Sequence, residues 1–288
     1  MKNVAPLRYD VIFKKAFCDP EIFTAFIHDV LGITIEIEKV ETEKTFTPPI
    51  GRVASRFDLF AQDLKNRVIV DIQHVRYADH YSFPEKFHTT FFSARMGQNF
   101  SGDLYDSFLH YHCAAILDQV INSENYRPTL AVYSVVVLTS GDKHKKDSLL
   151  IDFDPKDWDG KGIGEIPHKV LYLCPKYVND RTPEPLRQWL RAIDDTLDQR
   201  VEENDYQHPQ IRRVFDLIES DRILPEERAI MFEEYNRQQL RDEARQEEKA
   251  AIARSLLAQG IDISVIATAT GLSAQAIMAL PEASLIID

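Results

Sequence analysis

Asp58, Asp71 and Gln73 are the residues whose types and spacing could do chemistry, because they fall on two consecutive runs of strand-forming residues, 56–62 and 67–75. A polar turn around Asp63 to Asn66 separates the runs, and Asn66 tolerates left-handed backbone there. With a two-residue turn, the numbers of cross-strand partners add to 129 or 131, which sets Asp58 opposite Asp71 or Gln73. Side chains alternate along a strand with period two, so the expected hairpin brings all three polar groups to one face. Directly opposed residues are about 5 Å apart at Cβ. Two carboxylates at that separation repel unless a proton or a cation intervenes. Hard oxygen ligands suit Mg²⁺ or Mn²⁺, which keep waters and bind through one or two carboxylates plus a substrate phosphate. The plain alternative is a half-exposed sheet whose polar face meets water.

The acids must be positioned by a core. Phe57, Leu59, Val68, Val70 and Ile72 surround them and require an apolar partner for the opposite face. Upstream, Ile12, Phe13, Ala16 and Phe17 recur at helical spacing, and Asp19-Pro20 then supplies an N-cap and first-turn proline for a second helix that stops at Gly32. Ile33, Ile35 and Ile37 alternate with Thr34, Glu36 and Glu38, the pattern of a strand with one wet face. A helix resumes near Ser107, with Leu109, Cys113, Ile116, Leu117 and Val120 on its expected buried face, and His110 and His112 cannot both lie on that face. Leu130 to Leu138 has the continuous apolar composition of a central strand, and 149–153 and 169–173 read as further strands. The aspartates at 152, 154, 157 and 159 lack EF-hand spacing, and the glycines at 160, 162 and 164 lack a phosphate-loop pattern. From Pro183 onward the pattern is helical. Residues 225–259 read as a long polar helix, either a solvent-exposed spacer or a dimerising helix that would make the protein a homodimer.

Two motifs and the tail carry a resemblance. Asp58 followed by Asp71-Ile72-Gln73 resembles the PD-(D/E)XK nuclease signature, with Gln where Lys is usual. Asp10-Val11-Ile12-Phe13-Lys14-Lys15-Ala16-Phe17 is similar to the D-x-x-F-K-x-x-F opening of the Rpn-type recombination-promoting nuclease and transposase family. Gly260-Ile261-Asp262 with Ala267 to Ser273 resembles the tail that those proteins often carry. The resemblance implies an α/β fold with a restriction-endonuclease-like PD-(D/E)XK core, a mixed sheet flanked by helices, and a helical C-terminal extension. The expected divisions are a nuclease-like domain at 1–180, a helical segment packing on it at 181–225, and a long helix with a helical hairpin at 226–288. It also implies a Mg²⁺- or Mn²⁺-dependent DNA endonuclease with a recombination- or transposase-related role. Asp58 and Asp71 would hold the metal with Asp10 as a third acid, Gln73 would orient water, and Lys14, Arg56 and Arg76 would meet DNA. A helix N-cap is the alternative role for Asp10. The chain departs from the family pattern at 81–105, read as an insertion, and at Ser107, where a relative would carry Arg. A catalytically weak interaction module acting through the acidic helical half is the alternative function.

Charge limits both readings. Residues 1–150 carry 17 basic and 19 acidic side chains, whereas 151–288 carry 17 and 27. Non-specific DNA affinity comes largely from neutralised phosphates, so a pI near 5.3 confines any DNA contact to a local, metal-assisted one. Positive groups near the acids in sequence are Lys14, Lys15, Arg52, Arg56, Arg76 and Lys86. The segment after Arg254 contains no Lys or Arg, which favours a packed hairpin over a helix-turn-helix that grips DNA. Cys18, Cys113 and Cys174 lack paired spacing and read as buried thiols. With neither a membrane-length apolar run nor a signal-peptide pattern, the expectation is a cytoplasmic protein that does not enter membranes.

Overall fold

Turn chemistry and capping residues place the elements that carry the acids. The computed structural model describes residues 1–46, 55–74, 104–120, 128–142 and 144–280. Arg52, Arg76, Lys86 and residues 81–103 of the expected insertion lie outside the described residues. The chain opens with β1 (Lys2–Asn3), which pairs with the distant β8 (Arg200–Val201). Helix α1 (Asp10–Phe17) buries Ile12, Phe13, Ala16 and Phe17, and Asp19 then caps α2 (Pro20–Leu31) by accepting the Glu21 and Ile22 amides. Gly32, at φ 69°, closes α2 in the left-handed region that favours glycine.

A mixed six-stranded sheet follows, ordered β2 (Glu41–Phe46), β3 (Ser55–Gln62), β4 (Asn66–Gln73), β5 (Ala131–Leu138), β7 (Lys169–Leu173), β6 (Ser148–Asp152). Strands β4, β5 and β7 are parallel, whereas β2, β3 and β6 run antiparallel to their neighbours. β5 is central, as its apolar run predicts. The strand expected at 33–37 does not join the sheet. Its inside-outside alternation is real, since Ile35 is buried and Ile33 and Ile37 pack on the core, but among the described residues the segment has no ladder partner. β2 takes the edge position instead.

Each face of the sheet is covered. Leu59, Ala61, Val68, Val70, Ile72, Val135 and Val137 share one core with α1, α2, α4 (Leu186–Asp195) and α5 (Pro209–Leu217). On the other face, Phe57, Phe60, Ile69 and Val132 cluster with Ala115 of α3 (Leu104–Leu117), and Val136, Leu138, Val170 and Tyr172 cluster with its Phe108. The buried face of α3 differs from the expected one: Phe108, His112 and Ala115 point inward, and Leu117 is exposed. The apolar residues on both sides of that stripe made its centre ambiguous by about one residue per turn. Helix α6 (Pro225–Ala258) begins in this unit, and among its described residues only Ala253 is buried. In a second unit, Ala253, Ile266 and Ile277 form a small core shared by the end of α6, α7 (Ile263–Thr270) and α8 (Ala274–Met278). Gly271, at φ 72°, ends α7, and Ser273 caps α8. The tail is thus a hairpin completed by a third helix. No described helix is long and apolar enough to cross a membrane.

His112 is fully buried, with Nδ1 2.9 Å from Ser134 Oγ and its ring stacked on Phe153 at 5.1 Å. Burial, and then the neighbouring His168, push its pKa down to about 3. The unfolded chain therefore takes up a proton near pH 6.5 that the folded protein refuses until about pH 3. This linkage removes stability as pH falls through that window, by up to about 1.4 kcal/mol per pH unit. Thermal melts of wild type and His112→Phe between pH 7.5 and 3.5 check it: the wild-type advantage should shrink steadily below pH 6.5, and a constant difference would refute it.

Candidate active site

The hairpin turn is the expected two-residue one. Asp63 Oδ1 accepts the Lys65 amide at 2.7 Å and the Asn66 amide at 2.6 Å, an Asx arrangement that fixes the reversal at Leu64-Lys65. The register is therefore the 129 one, with Gln62 paired to Arg67 and Leu59 to Val70. This ladder continues only to Leu59, and Asp58 and Asp71 come next.

There the carboxylates replace the ladder. The Asp58 amide donates to Asp71 Oδ1 at 3.0 Å, and the Ile72 amide donates to Asp58 Oδ2 at 3.0 Å. Each acid thus reaches across to the opposing strand and accepts an N–H that a backbone carbonyl would otherwise take. Asp71 and Gln73 share one side of β4 as expected, but Asp58 does not lie with them on one flat face. Phe57 and Phe60 pack in the same cluster although they are three apart, so alternation in β3 skips once at Asp58-Leu59. The acids meet across an opening between strands. Among the described residues, the Gln73 side chain makes no hydrogen bond to either acid, although it follows Asp71 on the same side of β4.

Helix α1 closes the opening. Asp10 and Lys14, one helical turn apart, face the same way. Lys14 Nζ lies 2.6 Å from Asp10 Oδ2 and 3.6 Å from Asp58 Oδ1, and it also bonds the Glu43 carboxylate closely. Asp10 is the first residue of α1 and not its cap; Tyr9 holds the cap position without a side-chain bond. Arg56 is two-thirds exposed and contacts the other oxygen of Glu43. Lys14, an expected DNA contact, lies among the acids with its side chain 13% exposed. Lys15 turns away to Glu227 and the Arg222 carbonyl. Glu43 went unnoticed in the sequence, since nothing in E-T-E-K-T-F marks it. Its place depends on β2 pairing beside β3, and on a backbone at φ 58°, strained for a residue with a Cβ.

The electrostatics follow from burial and crowding. Burial, and then the Asp10 charge, push Asp58 up to about 6 against the relief given by the Ile72 amide and Lys14. Asp71 is raised well above the carboxylate range by burial and then by Asp58. Arg56 holds Glu43 below its ordinary value despite the opposing effect of burial, with help from Lys14. For Lys14, burial alone would lower the pKa, but its bonds to Asp10 and Glu43 and the Asp58 charge outweigh burial and raise it. Among the described residues, no group of three or more His, Cys, Asp or Glu side chains is spaced to hold a metal ion. A cation here would rest on the Asp58 and Asp71 oxygens, with water and phosphate completing its shell, which Mg²⁺ accepts. The amide bonds that orient each carboxylate are the outer support such ligands need.

Comparison with known proteins gives one match. Residues 246–282 fit the C-terminal HTH domain of the Rpn/YhgA-like nuclease family. The tail resemblance is thereby borne out, and the hairpin of α7 and α8 falls within the segment that matches this helix-turn-helix model. No curated protein and no solved structure matches significantly.

A raised Asp58 destabilises the metal-free fold wherever it must ionise. The folded pKa, about 6, exceeds the ordinary 3.8, so that cost is present above pH 6, fades as pH falls, and is gone below about 4. Asp58→Asn, which keeps an acceptor for the Ile72 amide, should raise the melting temperature at pH 7.5 in EDTA and lose that gain by pH 4. An equal gain at both pH values would show that the carboxylate does not titrate there.

Proposed function

From a tail of the Rpn/YhgA-like nuclease type joined to a mixed α/β unit with an acidic opening in its sheet, we propose that this protein is a metal-dependent DNA endonuclease with a PD-(D/E)XK-type core. The observation that carries the proposal is the crossed pair: two largely buried carboxylates, each oriented by the opposing strand's backbone, at one opening beside α1. Buried acids without cationic or hydrogen-bonded partners are costly, and here they are retained and oriented. Asp58 and Asp71 would hold Mg²⁺ or Mn²⁺, which when bound supplies a water of lowered pKa and neutralises charge on the phosphate. Asp10 lies on α1, where its carboxylate bonds the Lys14 ammonium that also lies 3.6 Å from Asp58 Oδ1. Gln73 offers a neutral amide that can orient water but cannot carry charge, so the chemistry leans more on the acids. Arg56 keeps solvent access beside the opening and is the described cation best placed to meet a phosphate.

The helix-turn-helix domain supports DNA as the partner. Its sequence beyond Arg254 has no cationic side chain, so it would contribute little phosphate neutralisation, and contacts there would come from uncharged groups such as Ser273 and Gln275. A recombination- or transposase-related role rests on the family resemblance alone. The presence of Lys14 among the acids favours a second reading, a nuclease scaffold retained as an interaction module without turnover.

Plasmid nicking with Mg²⁺ or Mn²⁺ separates the two. Wild type should nick, and Asp58→Asn and Asp71→Asn should each lower the rate by at least about a hundredfold. Equal nicking by all three would remove the assigned site, and no nicking by purified wild type with either metal would favour the module.

A further inference from the structure

We propose that Lys14 is the resident counter-ion of the acidic opening: its ammonium holds Asp10, Glu43 and Asp58 together in the metal-free protein and competes with a divalent cation for the same oxygens. The second half rests on the nuclease reading, and the first does not. An ammonium has three N–H donors and no acceptor, and Lys14 directs it at carboxylates from three separate elements, α1, β2 and β3. The helix that carries it is fixed. Phe13 and Phe17 are fully buried on either side of Lys14 and stack with ring centroids 4.3 Å apart.

Charge at the opening makes the role specific. Among the described residues, Asp10, Glu43 and Asp58, with the strongly raised Asp71 beside them, meet two cationic side chains, Lys14 and the exposed Arg56. β4 offers the neutral Gln73 next to Asp71 on the same side, and its one cation, Arg67, is taken up by Gln62 and Asp118. Lys14 is therefore a positioning residue that comes from a helix, and it contributes the charge that the strand does not bring to the opening. A cation drawn to Asp58 Oδ1 meets an ammonium 3.6 Å from that atom and must displace it or bind against its field. At that distance a unit charge changes the affinity for a divalent ion by at least about tenfold, even when strongly screened.

The test starts without metal. Melting temperatures in EDTA at pH 7.5 are measured for wild type, Lys14→Met, Asp58→Asn and the double variant. Asp58→Asn should stabilise the Lys14→Met protein more than it stabilises wild type, and additive shifts overturn the proposal. If Lys14→Met alone does not fold, a folded double variant is the expected coupling, and an unfolded one overturns it. Calorimetry with Mn²⁺ follows. Lys14→Met should bind Mn²⁺ at least about tenfold more tightly than wild type, with Lys14→Arg close to wild type. Equal or weaker binding by Lys14→Met overturns the competition. Absence of Mn²⁺ binding in every variant, with the stability coupling intact, removes the competition and the nuclease reading together and leaves the counter-ion role standing.

Discussion

The structure depends on one exchange of acceptors: where β3 and β4 part, side-chain carboxylates take the backbone amides that the ladder no longer serves. A buried N–H without a partner costs about 1–3 kcal/mol, so an opening between two central strands needs a substitute acceptor. Asp58 and Asp71 provide it reciprocally. The same exchange forces ionisable oxygens into a poorly hydrated gap, which raises both acids and calls for positive charge nearby. α1 answers with Lys14, and β2 answers with Glu43, which links Lys14 to Arg56. Sheet geometry, helix placement and electrostatics at this point are one problem with one solution.

Much of the fold was legible because its signals are local. Asp19 and Gly32 bound α2, Asp63 fixes the turn, and the 130–138 run declares a central strand. Turn length and period two put Asp58 opposite Asp71 or Gln73, and the observed register selects Asp71. What could not be read depends on departures from period. The skip at Asp58-Leu59 moves Phe57 to the other face, and no residue in S-R-F-D-L-F announces it. Glu43 and Lys14 enter the site through a non-local strand pairing and a helix that docks across it. The segment 33–37 has the right alternation but no strand partner among the described residues, since alternation reports which side is buried and not whether a neighbouring strand exists.

The two units contrast in how they are stabilised. The α/β unit has a continuous core on one sheet face that draws Trp189, Ile211 and Phe215 from the later helices together with α1 and α2. The tail rests on a few aliphatic contacts around Ala253, Ile266 and Ile277, with caps at Asp262 and Ser273 and a left-handed glycine between its short helices. Small residues and caps thus define the segment that matches the helix-turn-helix model, whose sequence beyond Arg254 carries no Lys or Arg.

The reciprocal acceptor arrangement also bears on descent. An aspartate that doubles as a strand acceptor cannot drift to alanine without leaving an amide stranded in the interior, so selection for folding alone would preserve the pair after turnover had ceased. Asparagine is the permitted exit, since it keeps the acceptor and discards the charge. Among divergent copies of such a chain, asparagine at both positions would mark loss of chemistry, whereas retained aspartate by itself would mark only the demand of the fold.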